Sequence, residues 1–289
     1  MSIILWIITS IMWSLWWAYR KKSSDHSNLP NPLFVLIWPM IGIVFIYSLV
    51  FLLWINSEIF SNYTIIWLLI LAWCIDWLWA ILEAWIYKKV KISKILPYTS
   101  FDKLFIIVIW FTLFYWNTWY TSVTTLIVAI FTFIIILLLS IDYKNFKLET
   151  IIIKYILVKL LYAIATLIMW SVLLTYATMD VFAVVILVYL IFHTLLNILL
   201  KNDFKQIVKQ SRSFYKYRII SSTIWRWSFI LWMFIIETSW VLIASLLSFI
   251  TIVFSILSMK FILNDTPTKK QIILAFTVIV LIWIWYYFK

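Results

Sequence analysis

The chain has 289 residues, 66% of them hydrophobic and only 12% charged, with a net charge of +12 and a mean hydropathy of +1.08. A soluble domain is nearer half apolar and a quarter charged, which excludes a water-soluble globule, and the unbroken apolar runs lack the alternation of an outer-membrane barrel. The single Cys74 excludes a disulfide framework or thiolate cluster within the chain, and the basic residues sit between the apolar runs, as membrane loops require, rather than marking a nucleic-acid binder.

In chain order, apolar runs of roughly 20 residues recur, each long enough to cross a bilayer core. They fall at about 2–19, 33–55, 64–87, 93–115, 121–141, 151–175, 180–200, 216–236, 239–262 and 270–288. The first has no basic leader and no small-residue cleavage site, so it reads as a retained helix. The connecting loops are short, and the longest polar segments are Arg20–Asn31 and Lys201–Arg218. Successive helices are therefore expected to be antiparallel neighbours.

The charges assign sides. Of the 23 basic residues, 18 fall in the loops after the odd-numbered spans, and the loops after the second, fourth, sixth and eighth carry none. The positive-inside rule then puts the odd loops in the cytoplasm and both termini outside.

The end of each half repeats. A run opening at Ser93 breaks at Tyr115–Trp119 and resumes to Leu139, and a run opening at Ser239 breaks at Asn264–Thr268 and resumes to Tyr287. Two copies of one helical hairpin, 146 residues apart, mark an internal repeat covering 1–141 and 149–289. Five helices per repeat is an odd number, so the halves insert with opposite orientation. The expected fold is an all-α integral membrane protein of ten transmembrane helices in two inverted five-helix repeats.

Charges within the spans are costly in a bilayer and usually face a cavity or a partner. Helix rise places Asp76 roughly 16 Å from the end of the third span, Asp102 and Lys103 roughly 14 Å into the fourth, and Lys159 and Arg226 at about 12–15 Å in the sixth and eighth. These five share a depth near the midplane, with a formal surplus of one positive charge that would favour an anionic group such as a carboxylate. Two readings stay open for them. They form a substrate or proton site, or they pair to hold helices together, as Asp76 and Arg226 could. Asp102 and Lys103 are neighbours about 100° apart on a helix, so they need not pair with each other. Glu83 and Lys154 lie nearer the interface and read chiefly as residues that snorkel, with a site role as the lesser alternative. Tyr189, His193 and Asn197 form a polar stripe on the seventh span, either lining a cavity or bonding among themselves. Tyr98, Thr99, Ser100, Ser245 and Ser248 occupy matching places in the fourth and ninth spans, and either line a polar cavity or bond back to carbonyls.

One ratio is abnormal: the chain has one glycine, Gly42, and 21 tryptophans. Average usage would give about 20 glycines, and membrane helices use glycine freely. A lineage that reads UGA as glycine, translated as though UGA meant tryptophan, would produce this ratio. The alternative is a chain truly rich in tryptophan with aromatic belts at the interfaces.

Several segments carry a resemblance. The second hairpin turn reads Leu263-Asn264-Asp265-Thr266-Pro267-Thr268, the first reads Tyr115-Trp116-Asn117-Thr118, and the opening helix runs from Met12-Trp13-Ser14 to Lys21. The chain resembles the EamA-type transporters of the drug/metabolite transporter superfamily over nearly its whole length. In that family the hairpin turn is like Leu-Gly-Glu-x-x-Ser/Thr, so Asn264 and Asp265 stand for its Gly and Glu, and Trp116 and Asn117 do so in the first copy. The closing Leu281–Tyr286 looks like the family's glycine-containing last helix with Trp283 and Trp285 for glycine. The resemblance implies two five-helix repeats and a secondary transporter moving a small metabolite, with export the expected direction; an amino acid or other carboxylate is the expected class. A lipid or lipid-linked-sugar flippase would share the fold, and a polytopic membrane enzyme is a third class, unsupported by the distant His26, His193 and Cys74. No phosphate-binding Gly-Lys-Ser/Thr loop occurs, even with Trp read as Gly. The expected location is the inner (cytoplasmic) membrane, multi-pass. The expected partners are a small-molecule substrate and the lipid bilayer, without cofactor, metal or nucleic acid, and a homodimer is left open.

Trp110, Trp116, Trp240, Trp283 and Trp285 fall where repeat packing or the resemblance places a small residue, and overpacking a tight helix contact costs about 1–3 kcal/mol per site. Most of these five codons are therefore expected to be UGA, with glycine in the native protein. The gene sequence and native peptide masses check this, and UGG at all five would contradict it.

Overall fold

The structure is a computed structural model, and it describes residues 3–50, 57–91, 101–114, 150–238 and 248–288, with isolated positions between 95 and 135. All regular structure among the described residues is helical. The helices are α1 (Ile3–Asp25), α2 (Asn31–Val50), α3 (Tyr63–Lys89), α4 (Phe101–Phe114), α5 (Thr150–Leu173), α6 (Thr178–Leu199), the single turn α7 (Lys205–Val208), α8 (Arg212–Thr238), α9 (Thr251–Ile262) and α10 (Lys269–Phe288). The expected fifth span is described only at scattered positions, where Ile127, Ile130, Phe131 and Ile134 are helical and exposed.

Three of these helices, α3, α5 and α6, are long and apolar enough to cross a membrane. Their outer faces support that reading. Trp67, Leu71 and Leu78 recur along α3 at helical spacing and are 69%, 50% and 45% exposed. Ile272, Phe276 and Trp283 do the same on α10. A water-soluble monomer rarely exposes contiguous apolar stripes of this kind, whereas a bilayer solvates them. The chain is a helical membrane protein.

Local signals explain the helix ends. Pro32 occupies the first turn of α2, where a missing N–H costs nothing. Asn62 caps α3 by accepting from the Ile65 N–H. Thr268 and Gln271 satisfy each other's backbone N–H groups at the start of α10, a reciprocal capping box. Asn264 ends α9 with a φ of 54°, the left-handed conformation that asparagine tolerates better than most residues.

Two boundaries differ from expectation. The first helix does not end near residue 19 but continues through Arg20, Lys21 and Lys22 to Asp25. Within the expected 93–115 helix, Tyr98 and Thr99 lie in a turn and the described helix that carries Asp102 starts at Phe101, so Asp102 sits in its first turn rather than deep inside a helix. A 3-10 turn at Ser248–Ile250 likewise precedes α9.

The packing has a definite pattern. α1 lies chiefly against α8 and α9, α5 lies chiefly against α3 and α4, and α2 pairs with α6. Small polar residues allow the α1–α9 approach, with the Ser14 hydroxyl donating to the Thr251 carbonyl at 3.2 Å and the Ser255 hydroxyl to Ser14 at 3.4 Å. Gly42 opens room for α8: a Cβ there would stand 3.0 Å from the Arg226 guanidinium and 3.0 Å from Ile186. The tryptophans do not form belts alone. Trp110 is 1% exposed, Trp283 is 66% exposed, and Trp116, Trp240 and the Trp285 side chain lie outside the described residues.

The described loops sort into two ends. Lys88 donates to the Leu29 carbonyl, and the Asn28 N–H donates to Gln210. Lys21, Lys89, Lys91 and Asp265 border one cleft at that same end. Asn62 donates to the Tyr176 hydroxyl at the other end. In a variant lacking Cys74, cysteines placed at Lys89 and Lys205 are expected to resist an impermeant thiol reagent applied to intact cells, while one at Ser61 reacts. Reaction at Lys205 with silence at Ser61 would reverse the orientation.

Candidate functional site

A narrow cavity of about 60 Å³ lies between α1, α3, α4, α5 and α9. Its polar wall is Glu83, Asp102, Lys103, Lys159 and a group of hydroxyls that includes Ser10, Thr99, Thr251 and Ser255. Its apolar wall is largely indole, from Trp6, Trp13, Trp16, Trp17 and Trp79.

Glu83 is the centre of its charge network. It is fully buried, lies 2.5 Å from an Arg20 guanidinium nitrogen and 3.6 Å from the Lys159 ammonium, and so joins α3 to α1 and α5. Arg20 is 5% exposed. Its guanidinium is surrounded by the rings of Trp16, Trp79 and Tyr87 at 5.2–5.5 Å, a cation–π cage that replaces part of its lost hydration. Lys103 pairs with Asp102 at 2.7 Å, and also lies 5.3 Å from the Tyr162 ring.

Three of the five expected midplane residues, Asp102, Lys103 and Lys159, thus meet at one cavity. Asp76 does not join them. It borders a second, smaller cavity of about 30 Å³, with Arg20, His193 and Arg218 also on the wall. Asp76 accepts from the Trp79 indole N–H and from Tyr189. It does not pair with Arg226, which donates to the Trp38 carbonyl instead. Trp16 and Trp79 border both cavities.

Several sequence readings need correction. Glu83 is a buried ion-pair centre, not an interfacial snorkel, because α3 turns it inward onto Arg20. Arg20 and Arg218, which look like loop charges, are 5% and 3% exposed inside the bundle. Asp102 and Lys103 do pair, since the side chains can reach each other in a helix's first turn. Lys154, in contrast, is exposed and lies over the Trp85 ring at 4.7 Å. Of the polar stripe on α6, Asn197 donates to the His193 and Pro32 carbonyls, and His193 and Tyr189 border or adjoin the second cavity.

No family model matches the chain, and no curated protein matches it. A protein of known crystal structure is similar to it in fold, with a TM-score of 0.65 at 13% identity, over 94% of this chain and 93% of the other. The likeness shows that the fold as a whole, rather than one hairpin, is shared with a solved protein.

Removing one partner of a buried ion pair leaves an uncompensated charge and costs about 3–5 kcal/mol. Glu83→Gln is expected to lower the unfolding free energy of the purified protein by that order, while Lys154→Ala changes it by about 0.5 kcal/mol or less. Equal unfolding midpoints for the two variants would contradict the role given to Glu83.

Proposed function

We propose that the protein is a secondary membrane transporter of the EamA type, moving a small carboxylate-bearing metabolite, with an amino acid the favoured class. The observation that carries this reading is the cavity between α1, α3, α4, α5 and α9, where Glu83, Asp102, Lys103 and Lys159 converge beside Arg20. The four charges on its wall balance, and Arg20 behind them leaves one positive charge over. In a low-dielectric site that surplus favours a substrate carboxylate over a neutral or cationic group.

The helix contacts support two inverted five-helix repeats. Exchanging each helix with its counterpart half a chain away turns the α1–α8 contact into α5–α3 and the α1–α9 contact into α5–α4, and leaves α2–α6 unchanged. That pattern is consistent with two like halves related by a two-fold axis, and an odd number of spans in each half would put that axis in the membrane plane, with the site at the junction. The conformation of Asn264 supports the family, because it is left-handed where the EamA turn carries glycine. The hydroxyls of Thr99 and Ser248, in the turns that precede α4 and α9, border the cavity from corresponding places in the two halves. Transport then proceeds by rocking of the halves around the site in the cytoplasmic membrane, most naturally as export, driven by an ion gradient or by the substrate's own gradient.

Efflux of labelled amino acids from preloaded cells carrying the gene tests this reading. Expression is expected to raise the efflux of at least one amino acid. Lys159→Met is expected to reduce that efflux about tenfold, the loss of roughly 1.4 kcal/mol of carboxylate binding, with protein still present in the membrane. Unchanged efflux by Lys159→Met would contradict the placement of the site.

A further inference from the structure

The second cavity, on the α2–α6–α8 side of Arg20, has two arginines and the Asp76 carboxylate on its wall, and several of its nitrogen atoms lack partners among the described residues. Arg218 donates to the Phe34 carbonyl at 2.8 Å and lies over the Phe34 ring, and its Nε has no hydrogen-bond partner among the described residues. The same is true of Arg20 Nε and His193 Nδ1. All three residues border the cavity and are at least nine-tenths buried. About two turns deeper on α8, Arg226 leaves its Nε and Nη1 unpartnered as well.

The charge imbalance is the second observation. Around the two cavities, Arg20, Lys103, Lys159, Arg218 and Arg226 face, among the described residues, only Asp76, Glu83 and Asp102. Glu83 is shared by Arg20 and Lys159, Asp102 is taken by Lys103, and Asp76 is held by Trp79 and Tyr189. Two positive charges are left over. Water can satisfy an N–H group, but it cannot offset net charge in a low-dielectric interior. An anion does both.

We propose that this cavity is a binding site for a small monovalent anion of halide size, held by Arg20 and Arg218 with His193 Nδ1–H as a third donor. The space, about 30 Å³, admits one or two water-sized groups and excludes a phosphate or a metabolite. The ion neutralises Arg218, which ties α8 to α2, and Arg20, which ties α1 to α3, so it stabilises the helix packing. The site adjoins the larger cavity through Trp16 and Trp79, and its Arg20 also pairs with Glu83 there, but binding of the small anion does not depend on which substrate that cavity carries.

The test is thermal unfolding of the purified full-length protein in sodium chloride, sodium bromide and sodium gluconate at equal ionic strength. Chloride and bromide are expected to raise the unfolding temperature saturably, by about 3–5 °C at a hundred times the dissociation constant. Gluconate, too large for the cavity, is expected to have no such effect, and Arg218→Gln is expected to abolish the difference. Bromide-soaked crystals of the unaltered protein give a readout that needs no variant, with an anomalous peak expected beside Arg20 and Arg218. Identical unfolding in chloride and gluconate, a chloride effect undiminished in Arg218→Gln, or crystals without that peak would each overturn the proposal.

Discussion

The bundle depends on a single buried carboxylate. Glu83 faces Arg20 at 2.5 Å and Lys159 at 3.6 Å, so one side chain on α3 holds α1 and α5. In lipid, apolar surface gives helices little reason to prefer one another over acyl chains, and packing and polar contacts decide the arrangement. Here α1 carries α8 and α9, and α5 carries α3 and α4. A contact at the junction of α1, α3 and α5 therefore sets how the two groups meet. It also leaves the cavity beside it positively biased, since one carboxylate serves two cations.

The tryptophans bear on the same cavity. Five indoles line its wall, and they leave it only about 60 Å³. If UGA is read as glycine in the organism, some of these rings are absent in the native protein, and the cleft becomes large enough for a metabolite. Gly42 shows what the small residue does where it is present: the α2 backbone comes close enough to the Arg226 guanidinium that a methyl group there would be crowded at 3.0 Å. Glycine elsewhere along α1 and α3 would allow equally close approach. Trp16 and Trp79 border both cavities, so their replacement by glycine would bring the Arg20–Glu83 pair into one larger space.

Much of the helical plan was legible in the sequence, because unbroken apolar runs of bilayer length are a strong signal. The sides of the loops were legible in their lysines, and the described loop contacts agree with that sorting. The site was legible only in part. Asp102, Lys103 and Lys159 stood out as charges inside apolar runs, and they do converge. Glu83 did not, because its distance from a helix end says nothing about which way its helix face turns. Arg20 and Arg218 were hidden for another reason. Each lies next to other basic residues at the edge of an apolar run, so composition places it in a loop, whereas tertiary packing carries α1 and α8 onward and buries it. Helix rotation is set by neighbouring helices, and a single helix's sequence does not contain it. Asp76 and Arg226 share a depth with the cavity residues, yet they face other partners for this reason.

The central claim is that surplus positive charge at the Arg20–Glu83–Lys159 junction selects a carboxylate. Its most direct measurement is equilibrium binding to the purified protein of a panel of amino acids, each paired with its own carboxamide. The two members of a pair differ in charge and hardly in shape. For the amino acids that bind, the acid is expected to bind about tenfold or more tightly than the amide, as a lost charge-assisted contact of roughly 1.5–3 kcal/mol requires. Equal affinity for acid and amide across the panel would contradict the claim.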